Sequence, residues 1–342
     1  MSKKDIELPS MKNKALFYLI VVLGSCWACQ KKAPTETAQS NQDQTLQALS
    51  DQINQAPDQI APLVTRANYY YEQESYERAI SDLEQALTID STNINTLHLL
   101  ADVYLDYYQS KKAIDLLAYT TEIHPESILT LLKKSEFHLI LQQYEESMRT
   151  IDQILRMQPN NPEAYFMFGQ NFVEQGDTIR AINSYQSAVE NDPNLIDAWI
   201  KLGQLQAGIG EAIATKYFDS AISIDPENIT VRHAKADYYS DQGQLTEAIQ
   251  AYREIIQINS DYEEAYFNSG LIYLDMDSIP QAYEQFDICI KTSPLHTRAY
   301  YYRGLSAEFL GRKEQAEADY KQALSLAPDF VEPRTGLERL RR

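Results

Sequence analysis

The sequence predicts an all-α protein, a solenoid of repeated helix–turn–helix units, and three observations carry that prediction. Prolines recur at 125, 159, 193, 226, 294 and 328, spacings of 34, 34, 33, 68 and 34, and Ser260 fills the slot inside the 68. A fixed period of this length is the mark of stacked supersecondary units. Two columns of the resulting frame hold only small residues and a third holds only large apolar ones. Finally, 11 glycines in 342 residues leave little room for a hairpin-rich β protein or for phosphate-cradling loops.

Setting each proline slot as position 32 of a 34-residue unit places the first positions at Ile60, Ile94, Ile128, Pro162, Ile196, Ile229, Glu263 and Thr297. Position 8 is then Ala67, Ala101, Ser135, Gly169, Gly203, Ala236, Gly270 and Gly304. Position 20 is Ala79, Ala113, Ser147, Ala181, Ala214, Ala248, Ala282 and Ala316. Position 24 is Leu83, Leu117, Ile151, Tyr185, Phe218, Tyr252, Phe286 and Tyr320. Positions 4, 8 and 11 share one face of a first helix by their spacing of three and four. Small residues at 8 and 20 let the two helices of a hairpin approach, and the bulky residue at 24 fills the adjoining gap. Proline at 32 ends the second helix. Position 4 is Leu63, Leu97, Leu131, Tyr165, Trp199, Tyr266 and Tyr300, with Arg232 the one departure. Tyr70, Tyr104, Tyr239 and Tyr273 at position 11 read as core packing.

These columns resemble the tetratricopeptide repeat family, over residues 60–330. The resemblance implies a right-handed superhelical solenoid of about eight hairpins, and a scaffold that binds proteins rather than an enzyme. It also implies a concave groove lined by the first helices through positions 2, 5, 9 and 12. Position 5 reads Val64, His98, Leu132, Phe166, Ile200, His233, Phe267 and Tyr301, an apolar seam with two histidines. Position 9 reads Asn68, Asp102, Glu136, Gln170, Gln204 and Asp237, then Leu271 and Leu305. Such a groove suits a protein or peptide segment with apolar anchors and basic residues. The family's carboxylate clamp pairs Lys at 5 with Asn at 9, which no repeat here has, so an acidic C-terminal tail is a disfavoured ligand.

Two repeats depart from the pattern. The fifth lacks one residue between Gln206 and Ala214, to be absorbed by a shorter turn, a kink or nothing visible. The third has Ser135, His138 and Ser147 where Gly or Ala, Tyr and Ala are usual. Residues 44–59 read as a lone half-repeat helix shielding the first unit, through Leu46, Leu49 and Ile53. Residues 331–342 read as a C-terminal capping helix whose terminal arginines suit the macrodipole.

The N-terminus is of another kind. Lys12 and Lys14 precede an apolar run from Ala15 to Gly24, too short to span a bilayer, which takes roughly 20 residues. It has the length of a signal-peptide apolar region, and Met11 is a candidate initiator. Leu23-Gly24-Ser25-Cys26 resembles a bacterial lipobox. That resemblance implies a signal peptide over residues 1–25, lipidation of Cys26, and a flexible tether over 26–43. Cys29 is the weaker candidate, since Trp27 precedes it closely. No Asp follows Cys26, and the lipoprotein resemblance then implies the outer membrane, facing the periplasm.

The formal net charge is −19, and removing residues 1–25 takes away four Lys and two acidic residues. Such a charge opposes nucleic acid and anionic lipid headgroups. Cys26, Cys29 and Cys289 form neither a disulfide framework nor a zinc pattern. None of the five histidines lies at metal-ligand spacing, and no nucleotide-binding or nucleophile motif is present. The sequence therefore predicts no catalytic residue, no metal and no cofactor. The expected function is a lipid-anchored adaptor in the bacterial envelope that holds another envelope protein. Alternatives are a lipoprotein gripping a glycan or peptidoglycan strand, or a regulatory subunit of an envelope enzyme.

Overall fold

The computed structural model describes residues 36–341, and they form 18 α-helices. The signal peptide, Cys26 and the first part of the expected tether lie outside the described residues. A lone helix α1 (Glu36–Gln55) is followed by eight hairpins. These are α2–α3 (Ile60–Glu72, Tyr76–Ile89), α4–α5 (Ile94–Asp106, Ser110–Ile123), α6–α7 (Ile128–Ile140, Tyr144–Met157) and α8–α9 (Pro162–Glu174, Thr178–Asn191). Then come α10–α11 (Ile196–Gly208, Ala214–Ile224), α12–α13 (Ile229–Asp241, Leu245–Ile258), α14–α15 (Glu263–Asp275, Ile279–Thr292) and α16–α17 (Thr297–Phe309, Lys313–Leu326). A last helix, α18 (Val331–Leu340), closes the series. The chain divides into two compact units, one ending at Ala198 and one running on from Trp199.

In both units the columns pack as their residue types require. All eight side chains at position 24 are exposed by 1% or less. Size at position 8 is matched to size at 24. Where 24 is Leu83, Leu117 or Ile151, position 8 carries a side chain. Where 24 is Tyr185, Phe218, Phe286 or Tyr320, position 8 is glycine, and a Cβ added to Gly203 would lie 2.5 Å from Phe218 Cε1. Ala236 opposite Tyr252 is the exception, and there the Tyr252 hydroxyl donates to Asp237 Oδ1 at 2.5 Å. Another wholly buried column is position 27, where Cys289 stands among Ala86, Thr120, Ile154, Ala188, Ala221, Ile255 and Ala323. Burial pushes its thiol up to about 12, so Cys289 is a packing residue.

The turns are built alike. Position 15 is left-handed in every repeat, with Gly176, Gly210, Gly243 and Gly311 in four and Glu74, Tyr108, Gln142 and Asp277 in the rest. The next amide reaches back to the position-11 carbonyl, as in Ser75 to Tyr70 and Arg312 to Ala307, both 2.8 Å. This is the bond that closes a helix C-terminus over a left-handed residue. Position 34 caps the next first helix: the side chains of Asn93, Ser127, Asn161, Asn228 and His296 accept from amides three residues on, as N-caps do.

Arg232 at position 4 proves to be a chemical equivalent of its column. Tyr165 and Tyr266 donate their hydroxyls to the carbonyls of Pro159 and Ser260, at 3.0 and 3.1 Å. The Arg232 guanidinium reaches the Pro226 carbonyl in the same way, at 3.0 and 2.8 Å. In repeat three, Ser135 Oγ and Ser147 Oγ are 3.0 Å apart and Asn171 donates to Ser147 at 2.9 Å. A buried polar network thus replaces the usual Gly/Ala contact. The residue missing from repeat five is taken from the second helix. Its regular α11 begins only at Ala214 and runs 11 residues, against 14 in the other second helices.

The N-terminal helix starts earlier than the sequence led one to expect. It begins at Glu36, inside the segment read as a tether, because Glu, Ala and Gln are good helix formers and no proline follows Pro34 until Pro57. Its residues Leu49 and Ile53 are buried, Ile53 against Leu63 and Ala86 of the first repeat. At the other end, Arg339 pairs with Glu308 at 2.9 Å, so this arginine ties α18 to repeat eight.

Candidate functional site

Within each unit the first helices of successive repeats touch (α4 with α6, α6 with α8, α14 with α16), and no pair of second helices comes as close. The first helices therefore form the inner layer, and positions 2, 5, 9 and 12 lie along it.

Position 5 does not form the exposed seam expected of it. In the N-terminal unit His98 is 6% exposed, and its Nε2 is 2.8 Å from Thr130 Oγ1 in the next repeat. Burial, with Lys133 and His124 adding, pushes its pKa down to about 4. Val64, Leu132 and Phe166 are half-buried, Leu132 against the core of repeats three and four and Phe166 with its ring 5.4 Å from Tyr185. In the C-terminal unit Phe267 and Tyr301 are only 5% and 8% exposed. Phe267 packs on His296 at 4.6 Å, Phe286 at 5.8 Å and Tyr302 at 5.8 Å, with the Arg298 guanidinium 5.0 Å above it. Tyr301 packs on Phe330 at 5.4 Å and Tyr320 at 6.0 Å. His233 lies edge-on to Tyr262 and Tyr252, at 5.6 and 5.5 Å, and Ile200 is half-buried.

One geometric reason covers Phe267, Tyr301 and His233. Side chains on a helix lean toward its N-terminus, which carries position 5 toward position 34, the residue capping the following first helix. Phe267 with His296, Tyr301 with Phe330 and His233 with Tyr262 are all pairs of position 5 with position 34 of the same repeat. Position 5 is a joint between repeats. Phe267→Glu would consequently place a charge in that joint and perturb the fold before any ligand.

Position 9 is more open. Asn68, Glu136 and Gln204 are exposed, and Asp102, Gln170 and Asp237 half-buried. Asp102 takes two bonds from Lys133, at 2.6 and 2.9 Å, and burial holds its pKa above the ordinary carboxylate value despite that cation. Asp237 accepts from Tyr252 and sits 3.4 Å from His233 Nε2. Around His233, Nδ1 is 2.7 Å from the Tyr262 hydroxyl and Nε2 is 3.1 Å from Asn268 Nδ2.

The inner layer of the N-terminal unit also exposes apolar residues that the sequence reading did not name. They are Leu129 at position 2, Val173 at position 12 and Ile140 at position 13. They flank Leu132 and Phe166. Positions 2 and 12 were legible as groove positions; what was missing was that their side chains escape the joint. Among the described residues no group of His, Cys, Asp or Glu is arranged to hold a metal, and no helix is long and apolar enough to cross a membrane.

An all-α array of paired helices with an open inner layer defines a repeat scaffold. Comparison with known proteins gives its kind: models described as TPR repeat match residues 67–106, 169–210 and 236–277, and one described as tetratricopeptide repeat matches 297–330. Over those residues the chain is similar to TPR repeats. It is 20% identical over 269 residues to the TPR repeat-containing protein YpiA of Bacillus subtilis, covering 78% of this chain and 63% of that one. It is 21% identical over 239 residues to Hsp70-Hsp90 organizing protein 3 of Arabidopsis thaliana, covering 67% and 42%. The chain thus spans less than two thirds of either relative. Among solved structures, the C-terminal part of a TPR repeat-containing protein from Cytophaga hutchinsonii aligns with a TM-score of 0.59 at 16% identity. That alignment covers 69% of this chain and 98% of that one, and it shares the fold.

Proposed function

We propose that the chain is a lipid-anchored scaffold of the bacterial envelope, and that its inner layer in repeats three and four holds a segment of another envelope protein. The observation that carries the binding reading is the exposed strip of Leu129, Val173 and Ile140 beside half-buried Leu132 and Phe166. Solvent-facing helix positions are ordinarily polar, and contiguous apolar ones mark interaction surfaces. Around the strip stand exposed Glu136, Glu163 and Glu174, while the nearby Lys133 is paired with Asp102. The matching ligand is an extended or helical segment with apolar anchors and basic residues.

Anchoring rests on the lipobox-like Leu23-Gly24-Ser25-Cys26 after a short apolar run. Several acyl chains hold a protein at a membrane where one does not. Trp rather than Asp after Cys26 supports outer-membrane residence facing the periplasm, by the sorting rule of the lipoproteins this segment resembles.

A photo-crosslinking residue at position 129, in the intact bacterium, tests the groove. The expected result is an adduct with one envelope protein that disappears in Val173→Glu, a change at an exposed side chain of the strip. No adduct, or an adduct indifferent to that change, overturns the site. Cys26→Ser tests the anchor: an uncleaved, unlipidated precursor is expected, and normal processing refutes it. Fractionation of the wild-type chain away from the outer membrane would refute the location.

A further inference from the structure

The turns joining first to second helix in repeats one and two carry a feature that packing does not explain. Tyr108 occupies the left-handed position 15 at φ 58° and is 94% exposed. A β-carbon is disfavoured in that conformation, and the other seven repeats place Gly, Asp, Glu or Gln there. Tyr108 buries almost nothing in return. Its chain neighbour Tyr107 stacks on Tyr76, with ring centroids 5.4 Å apart and planes at 24°. Tyr71 leans against Tyr76 at 6.1 Å.

This aromatic edge sits among carboxylates. The Tyr107 hydroxyl donates to Glu77 Oε1 at 2.8 Å, and that of Tyr71 donates to Asp106. Glu72 and Glu74 are exposed on the same turn. The cations of this stretch face other groups: Arg78 the ring of Tyr70 at 5.6 Å, Lys112 that of Tyr104 at 5.1 Å, and Lys111 the carboxylate of Asp115 at 2.6 Å. The rings of Tyr71, Tyr76, Tyr107 and Tyr108 therefore lie beside carboxylates, and among the described residues no Lys or Arg stands over them.

We propose that this edge is a stacking subsite for a guanidinium group, supplied by an arginine of the segment held in the adjoining groove. Both the ring quadrupole and the carboxylates attract a cation, and the flat guanidinium stacks on an aromatic face where an ammonium does not. A neutral sugar would use the rings but gain nothing from the net charge. Tyr71 is at position 12 and Asp106 at position 13, the positions of Val173 and Ile140 in the later repeats, so their bond joins the edge to the inner layer. The source of the arginine rests on the groove reading; the subsite itself is tested without it.

The full-length chain is titrated with N-acetylated tetra-arginine and tetra-lysine amides at equal ionic strength. The arginine peptide should bind about threefold tighter or more. In Tyr108→Gly, whose backbone suits φ 58°, that preference should vanish with no fall in melting temperature, and Tyr108→Phe should retain it. Equal binding of the two peptides by the wild-type chain, or a preference that survives Tyr108→Gly, overturns the proposal. So does binding of an N-acetylglucosamine tetramer that is lost in Tyr108→Gly, which would make the edge a glycan platform. Val173→Glu should leave the arginine preference intact, so failure of the groove and failure of this subsite give different results.

Discussion

Adding one methyl group at Gly270 should destabilise the C-terminal unit even though alanine is the better helix former. A Cβ there lies 2.6 Å from Phe286 Cε1 and 2.8 Å from Cζ, well inside the roughly 3.5–4.0 Å of a good carbon–carbon contact. The Phe286 ring cannot withdraw: it is fully buried, and Phe267 and Tyr302 hold it at 5.8 and 5.5 Å. Overpacking of this kind costs about 1–3 kcal/mol, and replacing a mid-helix glycine returns roughly 0.5–1 kcal/mol. The net loss should be about 1 kcal/mol. Phe286→Leu alone should also cost about 1 kcal/mol or more, through the space it leaves. Together the two changes recreate the Ala67/Leu83 and Ala101/Leu117 pairs of the first repeats. The double variant should therefore be more stable than the sum of the single effects by about 1 kcal/mol. Urea unfolding of all four chains measures this, with hydrogen exchange in α14 and α15 added because repeat arrays open piecewise. Additive effects within about 0.5 kcal/mol, or a Gly270→Ala chain more stable than wild type, would refute the size-matching of positions 8 and 24.

Three further outcomes are expected. His98 has a folded pKa of about 4 against about 6.5 unfolded, so the unfolded chain takes up the proton first as pH falls. The stabilisation is full above pH 6.5 and is lost progressively down to pH 4, at no more than about 1.4 kcal/mol per unit; His98→Gln should remove that part of the slope in urea titrations. Arg303→Met should cost about 3 kcal/mol, since it removes the cation from Asp319, 2% exposed and bonded to Arg303 at 2.5 and 2.9 Å, and leaves it only the Gln315 amide at 3.0 Å. Adding Asp319→Leu should recover most of that loss in thermal unfolding. Cys289 should resist alkylation in the native chain and react only on unfolding, as read by mass mapping of its peptide.

Much of the fold was legible because the residues that decide it repeat. Positions 8, 20 and 24 showed which faces meet, and the structure places every one of them in the core. Arg232 looked like a departure because a hydrophobicity column does not show hydrogen bonds. Its shared role with Tyr165 and Tyr266, donating to the carbonyl six residues back, is visible only once the helix start is folded against the turn. Position 15 escaped notice for a related reason: its left-handed backbone favours the glycine of Gly176 yet carries Glu74, Tyr108, Gln142 and Asp277 in other repeats, so composition there is uneven although geometry is constant.

The candidate site was less legible, and position 5 shows why. Periodicity identifies the face of a helix but not the neighbour that covers it. His233, Phe267 and Tyr301 were placed on the correct inner face, yet each is met by position 34 of its own repeat: Tyr262, His296 and Phe330. A signal was present, since aromatic or imidazole rings coincide at 5 and 34 in those three repeats. The early repeats lack it, with Val64 set against Asn93, Leu132 against Asn161 and Phe166 against Leu195. There the joint is closed by smaller or aliphatic groups, and Leu132 and Phe166 stay half-buried. The same chemistry that seals the C-terminal joints therefore leaves apolar surface on the N-terminal ones. That asymmetry is what supports the proposed site in repeats three and four, where the exposed apolar side chains stand at positions 2, 12 and 13 rather than at position 5.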